Sequence, residues 1–147
     1  MATADRNDPY AGFNFILDIG DGSAAGFSEV TGLDTDTDII EYRNGDEKNP
    51  GKAKLPGLHK YSNITLKRGF TNNQALWNWR KTVLDGKAER RSGSITLLNE
   101  ARQPALRFNF TAAWPAKWQG PALHAGNSEV AIETLEIACE KIELVTA

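Results

Sequence analysis

The sequence predicts a mainly β protein: a sandwich or barrel of two packed sheets, with one flanking helix over about residues 72–85 and a long projecting hairpin loop. Three observations predict it. Apolar and polar residues alternate along most of the chain, the period of half-buried strands. A single stretch switches to helical spacing between a start and a stop signal. The strand-like runs, roughly six, are not interleaved with helices, which favours sheets packed face to face over a parallel α/β sheet.

Residues 1–11 are polar and contain Asp8-Pro9, which favours an extended backbone, so they read as an N-terminal arm. Phe13, Phe15, Leu17 and Ile19 then alternate with Asn14, Ile16 and Asp18, giving a strand that Gly20-Asp21-Gly22-Ser23 ends. A short mixed segment, Phe27 to Leu33, leads to the β-branched run Thr35 to Arg43. From Asn44 to Lys54 the composition turns to Asn, Gly, Asp, Glu, Lys and Pro, too long for a tight turn, and loops of this length in compact domains usually carry function. In Tyr61 to Arg68, Ile64 and Leu66 alternate with polar residues. Paired with Thr35 to Arg43, this run makes an antiparallel hairpin whose tip, residues 44–60, projects.

The chain then changes period. Thr71 stands three residues before Gln74, the spacing of a capping box, and Gly86 marks the far end of a helix. Leu76, Trp79 and Val83 fall at i, i+3 and i+7 and form its expected core stripe. Beyond a basic turn at Lys87, Arg90 and Arg91, Ile95 and Leu97 point inward from a strand over Ser94 to Leu98. Leu106, Phe108 and Phe110 form the apolar face of the next strand, which Pro115 is expected to stop. Ala116 to Gly126 reads as a loop. Val130 to Val145 is ambiguous, because Glu129, Glu133, Glu136, Glu140 and Glu143 recur at helical spacing. Its β-branched content favours one long strand with a bend near Glu133.

With 147 residues the chain is expected to be one domain, residues 1–147. A net charge of −2 supplies no basic surplus for a phosphate backbone. The first residues lack the apolar core of a signal peptide, and no apolar run reaches the ~20 residues that span a bilayer. Synthesis in the cytoplasm without a membrane segment is the expectation. Enzyme motifs are missing: there is no nucleophile elbow, no phosphate-cradling loop and no HExxH pair. His59 and His124 are far apart and lack an adjacent nucleophile. Cys139 lies in an apolar phase and reads as a small core residue. Asp34, Asp36 and Asp38 have the opening spacing of a calcium loop, but Ile39 and Gly45 stand where such a loop needs Gly and Glu. No catalytic residue, metal ligand or cofactor is therefore expected. Trp79 belongs to the helix stripe, whereas Trp77, Trp114 and Trp118 lie off it, where aromatic residues serve either monomer packing or subunit contact.

The run LPGLHKYSNITLKRGFTNNQALWNW, residues 55–79, resembles the tail-tube protein family of contractile phages and phage-tail-like contractile injection systems. The resemblance continues through DPYAGFNFILDI, GFSEVTGLD, IEYRNG and AAWPAKWQGPALHAGNSEVAIETLEIACE, and so runs along the whole chain. It implies a non-enzymatic structural subunit that forms six-membered rings, stacked into the rigid inner tube. It also implies a strand for the last segment. The partners implied are other copies of the chain, a contractile sheath protein, baseplate and tube-capping proteins, and cargo in the lumen, the whole assembled into a phage tail or an injection particle.

For such an assembly the contact between rings is expected at Asp46, Glu47, Lys48, Lys52, Lys54, Leu55, Leu58 and His59, where mixed charge surrounds apolar anchors on a stiff Pro-Gly turn. Asp36, Asp38 and Lys67 are the expected lumen-facing charges, and Asp8, Pro9 and Tyr10 the contact residues of the arm. Two alternatives stand beside this reading. One is a baseplate or tube-initiating relative of the same fold. The other is a small carbohydrate- or ligand-binding β-sandwich that uses Trp114, Trp118 and the Ala116 to Gly126 loop.

Overall fold

A computed structural model describes residues 9–12, 14–20, 24–43, 45, 48, 51–126 and 128–147. Its elements in chain order are β1 (Phe15–Asp18), β2 (Ala24–Ala25), β3 (Glu29–Thr31), β4 (Thr35–Tyr42), β5 (Ala53–Tyr61), β6 (Ile64–Gly69), α1 (Ala75–Leu84), β7 (Arg91–Leu98), β8 (Pro104–Gln119), β9 (Ile132–Ala138) and β10 (Lys141–Thr146).

Two layers form because β8 serves both. Its first half pairs with β7 on one side and β10 on the other; β7 pairs in turn with β1, and β1 with β2 at the edge. Its second half pairs with β9, which continues through β6 to β3. The turn between the halves falls at Ala112, whose φ of 53° is left-handed, and the partner strand breaks opposite it at Cys139 and Glu140. A strand that must leave one sheet and join another needs such a kink. Pro115 does not stop β8, as expected from sequence, but sits inside it beside a register shift, where a missing amide is tolerated. The terminal segment is two strands, and its bend lies at Cys139 and Glu140, not near Glu133.

The inward phases of both layers build the core. Leu17, Ile64, Leu66, Leu76, Trp79, Ala113, Leu135 and Ile137 have no exposed surface, and Ile95 and Phe110 are nearly closed. Each large apolar side chain buried in this way contributes roughly 1.5–3 kcal/mol.

Helix α1 packs on β8 through Leu76 and Trp79, with Val83 of the same stripe partly buried. It starts three residues later than the sequence suggested, and the Thr71–Gln74 capping box does not form. Asn73 takes that place: its Oδ1 accepts from the Ala75 amide at 3.0 Å, while Thr71 Oγ1 accepts from the Asn73 amide at 3.2 Å. The C-terminus behaves as read. Gly86 has φ +82°, and the amides of Gly86 and Lys87 donate to the carbonyls of Val83 and Thr82, a Schellman closure.

The hairpin differs from the sequence expectation. Strand β4 pairs with β5, which takes residues 53–60 of the presumed loop together with Tyr61, and β6 belongs to the main sheet. The Pro56-Gly57 pair is not a turn. It lies within β5 at a bulge where Gly57 and Leu58 together face Asp38. Gly32 makes the hairpin's departure possible: its φ is +89°, and a Cβ there would collide with the Asn63 carbonyl oxygen.

Candidate assembly surfaces

The β4–β5 hairpin forms a sheet of its own. Its outer half carries apolar side chains on both faces. Ile40, Tyr42 and Leu55 share one face, and Ile39 and Pro56 the other. Ile39 is 65% exposed and Leu58 75%. The charges between them are largely spent on each other: Lys60 Nζ lies 2.9 Å from Asp38 and Lys52 Nζ 3.5 Å from Glu41. The hydrogen bond and charge of Asp38 raise the Lys60 pKa above its ordinary value. His59 Nδ1 meets Thr37 Oγ1 at 3.0 Å.

Among the residues expected to join rings, Lys48, Lys52, Lys54, Leu55, Leu58 and His59 are all exposed and lie on this hairpin, whereas Asp46 and Glu47 fall outside the described residues. Pro9 and Tyr10 of the arm are exposed, and Asp8 is likewise outside them.

A second surface is the outer face of the β3–β6–β9–β8 layer. Register places Glu29 and Thr31, Thr65 and Lys67, Thr134 and Glu136, and Lys117 and Gln119 side by side across four strands. Every one is polar, as on an antiparallel sheet with one face in the core and the other in water. Lys67 Nζ pairs with Glu29 at 3.3 Å, and Asn63 Nδ2 donates to Glu136 at 3.0 Å. Of the expected lumen charges, Lys67 is on this wall. Asp36 borders it, lining one open depression with Lys60, Asn63 and Glu136. Asp38 is farther out, paired with Lys60.

The inward face of the same layer holds a feature the sequence reading missed. Arg68 and Glu133 occupy directly opposed positions of β6 and β9, in the phase of Ile64, Leu66, Leu135 and Ile137. Arg68 Nε donates to Glu133 Oε1 at 2.5 Å and its Nη2 to the Asn73 carbonyl at 3.0 Å; Trp118 Nε1 donates to Glu133 Oε2 at 3.2 Å. Opposite charges in the apolar phase of two strands were the signal that could have found them.

Trp118 also stacks against Trp77, with ring centroids 5.0 Å apart and planes at 60°. With Phe70, Asn73, Gln74 and Glu133 they line a cup of about 230 Å³. Trp114 sits at the start of the β9-paired half of β8, opposite Ala138. The loop expected over Ala116 to Gly126 begins only after Gln119. Asp34 accepts from the Ser62 amide through its backbone carbonyl, Asp36 Oδ1 accepts from the Thr37 amide, and Asp38 pairs with Lys60. Among the described residues no group of three His, Cys, Asp or Glu converges as metal ligands, and no helix is long and apolar enough to cross a membrane.

The fold is similar to a chain in the sheath-tube complex of PVC, an extracellular contractile injection system, in its extended state. Identity is 26% and the TM-score 0.85, over 96% of this chain and 94% of that one. It is also similar to a chain in the anti-feeding prophage cap, the AFP tube terminating cap, at 27% identity and TM-score 0.88, over 99% of this chain and 97% of that one. Hcp1 from Flavobacterium johnsoniae shares the fold at 18% identity and TM-score 0.58, over 92% of this chain and 97% of that one. Comparison with curated protein sequences gave no match. The profile of the T4-like virus tail tube protein gp19 family matches residues 11–143, and the chain belongs to that family.

Proposed function

We propose that the chain is the repeating structural subunit of the rigid inner tube of a contractile injection machine, forming six-membered rings that stack into a hollow tube for cargo delivery. The observation that carries this reading is the free-standing hairpin. A two-stranded hairpin is marginal alone in water, yet this one exposes Ile39, Ile40, Tyr42, Leu55 and Leu58 on a scaffold whose own core is complete. Its surface is suited to another copy of the chain. Stacking is head-to-tail, so the hairpin meets a different surface on the next ring, and the contact repeats along the axis without closing. The arm at Pro9 and Tyr10 adds a second contact, and the polar wall around Lys67, continued by Asp36, faces the lumen. Similarity to chains of a sheath-tube complex, a tube terminating cap and the anti-feeding prophage baseplate supports a sheath, a cap and a baseplate as further partners.

Deleting residues 44–52 tests the proposal. It removes a segment between β4 and β5 that carries no large apolar residue, so the subunit should fold and form rings but not long tubes. Negative-stain images and sizing chromatography read the result. Wild-type protein that stays monomeric at high concentration would refute the tube reading, and normal long tubes from the deletion variant would refute the role of the tip.

A further inference from the structure

We infer that the loop between β8 and β9 receives the β4–β5 hairpin of the next copy of the chain, so that the two are the halves of one head-to-tail contact. The inference rests on the tube reading and deepens it by naming the surface that the hairpin meets. Strands β8 and β9 are antiparallel neighbours, which a two-residue turn can join. Twelve residues, 120–131, join them instead. That connection leaves Leu123 80% and Val130 75% exposed. Beside them Ala122, His124, Glu129, Val130 and Ile132 line a hollow of about 240 Å³.

Register sets this loop and the hairpin at opposite ends of one layer. At one end Thr31 faces Thr65 and Ile64 faces Ile137; the hairpin leaves from there, its root held by the Ser62 amide donating to the Asp34 carbonyl at 3.1 Å. At the other end Gly69 faces Ile132 and Gln119 faces Thr134, and the Phe70 amide donates to the Ala131 carbonyl at 2.8 Å where the loop rejoins β9. From Ile64 to Gly69 strand β6 spans about 17 Å. A stack that repeats without closing needs different surfaces at its two ends, one to give and one to receive. This chain has an apolar projection at one end of the layer and an apolar hollow at the other.

Chemistry fits the two together. Ile39 and Leu58 are the exposed aliphatic anchors of the hairpin, and a hollow rimmed by Leu123 and Val130 shields such an anchor from water. Residues 120–131 contain no Lys or Arg, and their carboxylate is the exposed Glu129. On the hairpin, Lys52 and Lys60 are spent on Glu41 and Asp38, while Lys48 and Lys54 are exposed toward its outer end and have the opposite sign to Glu129. A lysine-bearing projection entering an acidic rim favours hairpin on loop over hairpin on hairpin, where like charges meet.

The test uses the full chain and two double variants that change only exposed side chains: Leu123→Asp with Val130→Asp in the loop, and Ile39→Asp with Leu58→Asp in the hairpin. Negative-stain images should show each variant stopping at single rings. Mixed in equal amounts, the two should give pairs of rings and nothing longer, because the intact hairpin of one meets the intact loop of the other and both outer ends are disabled. Normal long tubes from the loop variant overturn the inference. So does a mixture that stays as single rings, since the two surfaces then belong to different contacts, and so does a folded loop variant without rings, which places the loop between neighbours in a ring. Cross-linking decides the matter if an aspartate variant does not fold. Tubes of Leu58→Cys with Leu123→Cys, treated with a short bismaleimide, should give a ladder of covalent multimers that neither single variant gives, and intact tubes without that ladder overturn the inference. Absence of tubes from the wild-type protein brings down the tube reading itself, and the inference with it.

Discussion

Arg68 and Glu133 face each other across β6 and β9 with only 7% and 2% of their side chains exposed. Taking two charges out of water is costly, and the geometry offsets this through the pair itself and through the added bonds to Asn73 and Trp118. Removing one partner strands the other. Glu133→Ala is expected to destabilise by about 3–5 kcal/mol, whereas Arg68→Met with Glu133→Leu should recover most of that loss. Urea unfolding of the three proteins checks this. Equal losses in the single and double variants would show that the pair is not what holds these strands in register.

Trp79 offers a separate test of the helix. Its ring is fully buried, its Nε1 donates to the Glu89 carbonyl at 2.7 Å, and the Arg91 guanidinium lies 4.9 Å from its centroid. Trp79→Ala should cost ~3–5 kcal/mol through the cavity it leaves. Trp79→Phe should lose less, on the order of 1 kcal/mol for the hydrogen bond plus part of the packing. Thermal unfolding distinguishes these, and a loss below ~1 kcal/mol for the alanine variant would contradict the burial.

Alternation made the core phases of β1, β6, β8 and the helix stripe legible, because one face of each packs while the other is wet. Pairing was not legible. Local signals favour β6 over β5 as the partner of β4, because β5 carries Lys54, Pro56 and Gly57, residue types depleted in strands; the main sheet claims β6 through Leu66 and Ile64. The proline signals misled for a related reason. Pro56 and Pro115 both sit beside register shifts, where the ladder does not need their amide, and that depends on a partner strand distant in sequence. The aromatic cup escaped because Trp77 and Trp118 meet only once α1 lies on β8.

Cys139 should be a sluggish thiol. Burial raises its pKa above the ordinary value, and its Sγ donates weakly to the Ser62 carbonyl at 3.7 Å. Near neutral pH the thiolate is therefore scarcer than in an unhindered cysteine. Iodoacetamide labelling followed by mass spectrometry should proceed more slowly than for a free cysteine and speed up as pH rises. Labelling of the folded protein at the free-cysteine rate would show that the site is open.

Gly32→Ala should be far more damaging than an exposed glycine substitution. The residue needs φ +89°, and its missing side chain makes room for the Asn63 carbonyl. Relief would have to come from moving backbone at the root of the hairpin, between β3 and β6, and a cost above ~2 kcal/mol is expected. Gly86→Ala shares the left-handed backbone but meets open space, so about 1 kcal/mol is expected there. Similar losses for the two, measured by denaturant unfolding, would contradict the close approach.

Charge on the proposed lumen wall should act on cargo and leave the fold alone. Asp36 and Asp38 are on the hairpin, away from the buried cluster, and Lys67 points outward between Glu29 and Thr134. Exposed ion pairs contribute little to stability, so Asp36→Lys with Asp38→Lys should fold and form rings. What changes is the field inside a narrow, water-filled passage, where like charges at every copy add around the ring. A cargo with a basic surface should load less well than into the wild-type tube, and an acidic cargo better, with the difference shrinking at high salt. Lys67→Glu should shift both preferences in the opposite direction. The ratio of cargo to tube protein in purified particles measures each effect. Failure of the double aspartate variant to form rings would make these side chains interface groups, and loading that ignores both substitutions would place the lumen on another face.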